Sequence, residues 1–420
     1  MSQQQHYMLN GWAWQFSDKG NKMSNDVVIV ATARTPIAKA YRGAFNDTQP
    51  QELMGHAIKQ AITRARIEGD EIEDVHIGAA LQQGSTGGNI ARQSAIRAGL
   101  PTSVPGMSVD RQCSSGLMTI ASIAGRIKNG EINIGIAGGV ESVSLVQNDK
   151  MNNFRSKDPW NIKNRPDLYM SMLETAEVVA ERYGVTREQQ DIYACESHRR
   201  TALAQSTGRL ANEIAPLTTI KKVQDRETKE ISDVEVRLEN DEGLRASTSI
   251  DSLAGLQPVF ADGLSIQQGK YITAGNASQL SDGAAALVLM SEKVAASKGL
   301  EPLGVYRGIA VAGCDPDEMG IGPVFAVPDL LRKQGLSIED IDMWELNEAF
   351  ASQCLYCRDR LGIDPEKYNT NGGAIAVGHP GCQGLEWLVM CYTKAKEPTL
   401  NWALFRCVLV VAWAPPACLN

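Results

Sequence analysis

Apolar and polar positions alternate along the middle of the chain in the order typical of a sheet covered by helices. Short apolar runs rich in β-branched residues predict buried strands over 27–31, 75–80, 107–109, 132–137 and 341–346. Apolar residues at helical spacing predict helices over 51–66, 89–98, 117–127 and 352–361. This order predicts an α/β fold with helices on the faces of a sheet.

The second half of the chain repeats the pattern of the first. An Ile-Glu-Asp triplet precedes Val75, and another precedes Ile341. Val75 is 38 positions before Cys113, and Ile341 is also 38 positions before His379. One hypothesis is therefore a duplicated fold in which Cys113 and His379 take equivalent places; chance likeness of two common α/β segments is the alternative. The more polar residues 144–279 are predicted to form an insertion.

Composition and charge exclude several classes of protein. The chain has 420 residues, of which 43% are hydrophobic and 21% charged, and its net charge is −8. No basic stripe indicates a nucleic-acid partner. No apolar run approaches the roughly 20 residues of a membrane span, and residues 1–22 lack the apolar core of a secretory signal. Nine unevenly spaced cysteines favour reduced thiols, so we expect a cytoplasmic location with no membrane partner.

Cys113 is the first candidate for chemistry. It follows a predicted strand and precedes Ser114, Ser115, Gly116 and a predicted helix. The positive end of a helix dipole can lower a thiol pKa from about 8.5 to roughly 3.5–7.5. Small neighbours would let a substrate carbonyl approach backbone N–H groups. The pattern indicates a nucleophile, and a buried structural cysteine is the alternative.

His379 and Asn347 are the second and third candidates. His379 lies in a glycine-rich turn, where a histidine could accept a thiol proton or donate to an oxyanion. The alternative is a structural histidine that only satisfies hydrogen bonds of the turn. Asn347 begins an Asn-Glu-Ala-Phe run after the predicted strand 341–346, and ends of strands are where α/β sheets place binding groups. Asn347 could hold a catalytic water.

The remaining motifs argue against a metal or a nucleotide cofactor. Cys354 and Cys357 have metal or redox spacing, but no second pair stands at zinc-site spacing, so we interpret them as core or surface thiols. The sequence contains neither a Walker-type phosphate loop nor a dinucleotide glycine fingerprint.

Together, six segments resemble one family, the thiolases, which are acetyl-CoA C-acyltransferases. The segments are Arg34-Thr35-Pro36, Cys113-Ser114-Ser115-Gly116, Gly138-Gly139-Val140-Glu141-Ser142, Thr273-Ala274-Gly275-Asn276-Ala277-Ser278, Asn347-Glu348-Ala349-Phe350, and Gly372-Gly373-Ala374 through Gly378-His379-Pro380. They occur in the family's order, and the resemblance covers about residues 26–380.

The resemblance implies the thiolase fold, with two similar βαβαβαββ halves in layered α/β packing and an inserted loop domain. The corresponding domains are a non-native extension (1–22), an N-terminal half (23–143, completed by 280–302), a loop domain covering coenzyme A (144–279) and a C-terminal half (303–420). We expect the native start at Met23, which begins an ordinary Met-Ser-Asn-Asp terminus.

The resemblance also implies the reaction and the roles of residues. Cys113 would carry the acyl group, His379 would activate it, and Asn347 would hold a water in an oxyanion hole. Ser278, Ala349 and Phe350 would contact the pantetheine arm, and Arg245 would reach the nucleotide end. The reaction would be thiolysis of 3-ketoacyl-CoA or the reverse Claisen condensation. Coenzyme A is then a substrate, no cofactor is tightly bound, and the partners are acyl-CoA, CoA and further copies of the chain in a homodimer or homotetramer.

Residues 381–420 depart from the family. Thiolases carry a second cysteine in a Cys-x-Gly-Gly-Gly-x-Gly run, which serves as the acid and base for the α-proton, and no such run occurs here. Only two of the 38 glycines follow Pro380. A shifted reading frame of this tail permits Met-Cys-Ile-Gly-Gly-Gly from Arg406 onwards, which suggests a frameshift just after Pro380. Cys407 lies close in sequence to where the family has its second cysteine, but the glycines of the family's run do not follow it.

This departure leaves three alternatives open. The chain is an active thiolase, or a catalytically impaired homologue that binds CoA thioesters without turnover, or a misfolded product. The β-branched run at 408–412 is predicted to form a substitute strand.

Overall fold

The computed structural model describes residues 26–380 and the backbone of Val410–Trp413. The predicted extension 1–22, the start at Met23 and the tail from Gly381 with Cys407 lie outside the described residues, apart from that one strand. Within the part described, no helix combines the length and apolarity needed to cross a membrane.

The described chain alternates strands and helices as the apolar pattern predicts. The strands are β1 (Val27–Arg34), β2 (Ala38–Lys39), β3 (Asp74–Gly78), β4 (Gly106–Val109), β5 (Ile134–Ser142), β6 (Leu217–Gln224), β7 (Ile231–Leu238), β8 (Ser281–Ser291), β9 (Gly304–Tyr306), β10 (Ala310–Gly313) and β11 (Val410–Trp413). The helices are α1 (Pro50–Ala65), α2 (Ile90–Arg97), α3 (Ser115–Lys128), α4 (Val143–Val146), α5 (Pro159–Asn164), α6 (Met172–Tyr183), α7 (Arg187–Ser206), α8 (Ile250–Ala254), α9 (Glu292–Ser297), α10 (Pro323–Gln334), α11 (Ala351–Leu361) and α12 (Ala374–Val377).

One large sheet forms the first half. Its strand order is β4-β3-β5-β8-β1-β9. β2 pairs with the first two residues of β8, Ser281 and Asp282. β3 is parallel to β4 and β5, whereas β8 runs antiparallel to β5 and β1. β8 therefore returns to the middle of the sheet after the excursion that contains α4 to α8.

The central strands of the sheet are buried on both faces. Alternate residues of β1 contact opposite cores: Val28 packs in the cluster that contains α1, and Ile29 packs in the cluster that contains α3. Strands covered on both faces are continuous apolar runs. This burial explains why the predicted strands 27–31, 75–80 and 132–137 correspond to β1, β3 and β5. The predicted strand 107–109 corresponds to β4, an edge strand that is only partly buried.

The predicted strand over 341–346 is wrong. The segment contains only isolated bridge residues, Met343 and Trp344. At Trp344, the backbone N–H donates to Lys367 O and the carbonyl accepts from Asn369 N. The Asn369 side chain then takes both backbone groups of Leu346, by accepting from its N–H and donating to its carbonyl. The side chain of Asn369 thus satisfies the backbone of Leu346, where the apolar run predicts bonds to a neighbouring strand.

The tail contributes one described element to the second half. β11 pairs in parallel with β10, with Ala310 opposite Val410 and Gly313 opposite Trp413. The predicted substitute strand over 408–412 is therefore observed at Val410–Trp413.

Candidate active site

Cys113 lies in a tight turn between β4 and α3, as the strand–turn–helix pattern predicts. Gln112 has φ +49°, and the N–H groups of Ser114 and Ser115 donate to the carbonyls of Arg111 (3.0 Å) and Gln112 (2.9 Å). Ser115 Oγ accepts from Arg111 N at 2.8 Å. These bonds fix the turn and place the thiol beyond the carboxyl end of β4.

His379 follows α12 through a glycine that the local packing requires. Gly378 has φ +109°, and a Cβ there would lie 2.2 Å from Ser281 Oγ. The backbone N–H of His379 donates to Gln279 O at 2.8 Å. The imidazole is therefore held against the strand-like segment that leads into β8.

The structure brings Cys113, His379 and Asn347 together. His379 Nε2 lies 3.3 Å from Cys113 Sγ and 3.3 Å from Asn347 Nδ2. Because an amide nitrogen only donates, the geometry assigns Nε2 as the acceptor and the ring proton to Nδ1. Burial lowers the pKa of His379 to about 4, so the ring is neutral near pH 7.

The predicted lowering of the Cys113 pKa is wrong for this geometry. Burial raises the pKa of the thiol to about 11, and the carboxylates of Glu141 and Asp110 add to the rise. The residue stays partly accessible, but its sulfur is surrounded by protein groups. Loss of hydration thus outweighs the helix N-terminus here, and the resting pair is a neutral thiol beside a neutral imidazole.

The predicted pantetheine contacts also lie together. Ser278 N donates to Ala349 O at 3.0 Å, and a bridge joins Ala277 to Phe350. Ser278, Ala349 and Phe350 are all partly exposed. Gln279, the next residue, holds His379, so these three residues lie beside the imidazole.

Arg245 is placed apart from this group. Its side chain is exposed, and its backbone N–H donates to His198 Nδ1 at 3.3 Å. The loop that carries it packs on the end of α12, where a Cβ on Gly243 would lie 2.5 Å from Val377 O. Arg245 therefore stands at the rim of the site and not in its interior.

Sequence reasoning gave Glu348 no role, although it stands within the Asn347-Glu348-Ala349-Phe350 run. Its side chain is buried and accepts hydrogen bonds from four donors. The available signal was its position, an acidic residue directly between the candidate Asn347 and the candidate Ala349.

Cys354 and Cys357 are buried on α11, in agreement with their interpretation as structural thiols. Across residues 26–380, no group of three or more His, Cys, Asp or Glu side chains is arranged to hold a metal ion.

Comparisons with known proteins match most of the chain. Residues 27–293 match the model of the thiolase N-terminal domain, and residues 300–405 match that of the thiolase C-terminal domain. The mouse protein named 3-ketoacyl-CoA thiolase B, peroxisomal, is 45% identical over 377 residues, which are 89% of this chain and 85% of the relative. The match to the model of the C-terminal domain continues beyond Pro380, to residue 405.

Solved structures give the same result. An acetyl-CoA acetyltransferase from Bacillus anthracis aligns with a TM-score of 0.76 at 38% identity, over 88% of this chain and 92% of its own. The dimeric peroxisomal thiolase of Saccharomyces cerevisiae aligns with a TM-score of 0.74 at 36% identity, over 90% and 93%. The predicted α/β thiolase fold is confirmed.

The expected cytoplasmic location is wrong. The mouse relative and the yeast structure are both named as peroxisomal thiolases. Reduced thiols do not distinguish the cytoplasm from an organelle, so cysteine usage carried too little information. Two domain models, a relative at 45% identity and the shared fold agree on the family. This chain belongs to the thiolase family.

Proposed function

We propose that this chain is an acyl-CoA:acetyl-CoA C-acyltransferase that works through an acyl-enzyme on Cys113. It would cleave 3-ketoacyl-CoA with CoA, or run the reverse Claisen condensation. The observation that carries the proposal is the 3.3 Å contact between Cys113 Sγ and His379 Nε2. It joins the turn after β4 to the turn after α12, at the two positions that the hypothesis of a duplicated fold would make equivalent.

In the first half-reaction, His379 accepts the thiol proton while Cys113 Sγ attacks the 3-keto carbon of 3-ketoacyl-CoA. The bond between the carbonyl carbon and the α-carbon then breaks, leaving an acyl thioester on Cys113 and the enolate of acetyl-CoA, which takes up a proton. A neutral imidazole beside a thiol of pKa about 11 supports this order, because the thiolate forms only as attack proceeds.

Asn347 is proposed to hold a water that stabilises the enolate oxygen. Its Nδ2 faces His379 Nε2, and among the described residues its buried Oδ1 accepts no hydrogen bond. A water there would have an acceptor on Asn347 and would donate to the developing charge. Loss of one oxyanion donor typically costs about 10²–10³ in rate.

Coenzyme A is proposed to bind as a substrate along Ser278, Ala349 and Phe350. Their partial exposure beside His379 suits a pantetheine arm whose thioester reaches Cys113. The exposed guanidinium of Arg245 suits the phosphates at the nucleotide end.

In the second half-reaction, the thiol of CoA attacks the Cys113 thioester, releases acyl-CoA and returns the proton to sulfur. In the thiolases, a second cysteine moves the α-proton. The tail of this chain contains no Cys-x-Gly-Gly-Gly run, and Cys407 lies outside the described residues. The test therefore has to separate acylation from turnover.

The test is mass spectrometry of the intact protein after incubation with acetyl-CoA or a 3-ketoacyl-CoA, followed by addition of CoA. We expect a thioester on Cys113 that CoA removes, and loss of the adduct in Cys113→Ser. Cys195→Ser is the matched control, because this thiol is also partly accessible but lies on α7. Absence of any adduct on the wild-type chain would refute the proposal. A stable adduct without turnover would favour the impaired binder.

The domain organisation is proposed to follow the path of the first sheet. Residues 23–143 and 280–302 form one half, because β8 pairs with β5 and β1. Residues 144–279 form the loop domain; β6 and β7 pair with each other and not with the large sheet. Residues 303–420 form the second half, and β9 at its start joins the large sheet of the first half by pairing with β1.

We also propose a homodimer or homotetramer. β4 is an edge strand of the large sheet, and Met107 on it is 41% exposed. An apolar side chain on an open edge suits pairing with a second copy. Light scattering of Met107→Lys against the wild type tests this proposal. An unchanged oligomeric mass would show that β4 does not form the interface.

A peroxisomal location is proposed from the named relatives. Imaging of the tagged chain in its host against a peroxisomal marker tests it.

A further inference from the structure

Glu348 lies where three segments of the active site meet. It directly follows Asn347, it faces α7, and it lies beneath the glycine turn that leads to His379. Its side chain is 1% exposed. A carboxyl group so deeply buried requires strong hydrogen bonds to offset its lost hydration.

The carboxyl group receives two donors on each oxygen. Oε1 accepts from Tyr193 Oη at 2.8 Å and from Asn369 Nδ2 at 3.2 Å. Oε2 accepts from Ser197 Oγ at 2.7 Å and from Ile375 N at 3.1 Å. Tyr193 and Ser197 come from α7, whereas Asn369 and Ile375 belong to the segment that ends at His379.

Asn369 cannot turn its amide around. Its Oδ1 accepts from Leu346 N at 2.8 Å while its Nδ2 donates to Leu346 O at 2.9 Å and to Glu348. The residues immediately before and after Asn347 are thus both fixed by this one network.

The same carboxyl group shapes the turn before His379. A Cβ on Gly373 would lie 2.2 Å from Glu348 Cδ, so the turn passes directly over the carboxylate. Gly373 N donates to Ser197 Oγ at 3.1 Å, and Ile375 N donates to the carboxylate itself. α12 then ends at Val377, two residues before His379.

We propose that Glu348 is the positioning residue that sets Asn347 and His379 in register with Cys113. The inference rests on the proposed function, because it assigns a role within that site. Glu348 does not touch the reacting atoms; it acts through the residue beside it and through the glycine turn.

An isosteric substitution separates charge and hydrogen bonding from volume. In Glu348→Gln, the new amide nitrogen would face either the Ile375 N–H or the Asn369 amide N–H, and neither can accept a hydrogen bond. One oxygen position therefore becomes a donor–donor contact, and the glycine turn or the Asn347 loop must shift. A misplacement of about 1 Å can cost about 10²-fold in rate.

The experiment measures acylation of Cys113 by single-turnover kinetics in wild type, Glu348→Gln and Ser197→Ala. We expect Glu348→Gln to lower the acylation rate about 10- to 100-fold with little change in the half-saturating acyl-CoA concentration. Ser197→Ala removes one donor and keeps the charge, so a smaller loss in the same direction is expected.

A double-mutant cycle distinguishes positioning from general support. In an Asn347→Ala background, the loss from Glu348→Gln should shrink, because residues that act through one another are not additive; the loss that remains is the part that acts through the glycine turn and His379. Full additivity would overturn the proposal, and so would a wild-type acylation rate in Glu348→Gln.

Asp74→Asn is the matched control. Asp74 is also a buried carboxylate, bonded to His76 at 3.1 Å and paired with Arg126, but it begins β3 at the opposite end of the sheet. It should lose stability and keep the acylation rate.

The rate at which iodoacetamide alkylates Cys113 tests the positioning role of Glu348 independently of the proposed acyltransferase function. If the wild type is never acylated, the proposed function fails, but the alkylation rate still reports the contact between Cys113 and His379. Positioning then predicts that Glu348→Gln is alkylated as slowly as His379→Ala. Alkylation at the wild-type rate would contradict it.

Discussion

Cys113 and His379 meet at 3.3 Å, yet the two halves of the molecule hold them by different means. Cys113 follows β4, the edge strand of a sheet whose central strands are buried on both faces between α1 and α3. His379 follows a segment that makes isolated bridges at Trp344 and Leu280 and relies on buried side-chain hydrogen bonds. Apolar packing of the sheet and α3 thus supports the nucleophile together with the short-range hydrogen bonds of its own turn. In the described residues, a long-range polar network supports its base.

This difference predicts where the site is sensitive. Apolar packing is non-directional, so a volume-conserving substitution there usually costs less than about 1.5 kcal/mol. A buried polar network depends on each member, because an unpaired donor or acceptor there costs its full desolvation. Substitutions in the network around Glu348 should therefore affect chemistry more than substitutions of similar size around α3.

The largest expected effect comes from Gly373→Ala. The added Cβ would lie 2.2 Å from Glu348 Cδ, so the turn before His379 must move. We expect about 1–3 kcal/mol of lost stability and about 10²-fold slower acylation of Cys113. Chemical denaturation and single-turnover kinetics measure the two quantities.

Gly313→Ala is the control for that prediction in the same half of the molecule. A Cβ on Gly313, in β10, meets no atom of the described residues within 4 Å. Equal losses in both variants would show that the second half is fragile throughout, and the special role of the glycine turn would be lost.

The same contrast decides how much could be predicted from the sequence. Periodicity located β1, β3, β4, β5, α1 and α3, because strands and helices with apolar faces carry that signal locally. It failed at 341–346, where the bonds of Leu346 go to the Asn369 side chain. The catalytic trio was found from its motifs, but the Glu348 network was missed because its donors lie up to 155 positions away in the chain.

The second prediction concerns pH and the buried imidazole. Burial lowers the pKa of His379 to about 4, below the value of about 6.5 in an unfolded chain. The folded state therefore binds fewer protons, and its stability is fully present above pH 6.5 and declines as pH falls towards 4. At pH 5 this group alone should cost about 2 kcal/mol relative to pH 8.

His379→Asn should remove that part of the loss. Urea denaturation at pH 8 and pH 5 measures the difference for both proteins. His198→Asn is a useful comparison, because burial and Arg245 also lower the pKa of His198 to about 4, yet its ring contacts neither Cys113 nor Asn347 in the described structure. If neither variant flattens the profile, the acid sensitivity comes from other groups.

The smallest expected effect tests the half that relies on packing. Gly125 lies within α3, and a Cβ there meets no atom within 4 Å. Alanine at this position should stabilise the protein by about 0.5–1 kcal/mol, because it reduces the conformational freedom of the unfolded chain and favours the helix. The acylation rate of Cys113 should stay within about twofold of wild type, because the helix already fixes the turn that carries the thiol. A rate that falls with the added stability would mean that Cys113 also depends on movement of α3, and the two halves would then differ less than their hydrogen bonds suggest.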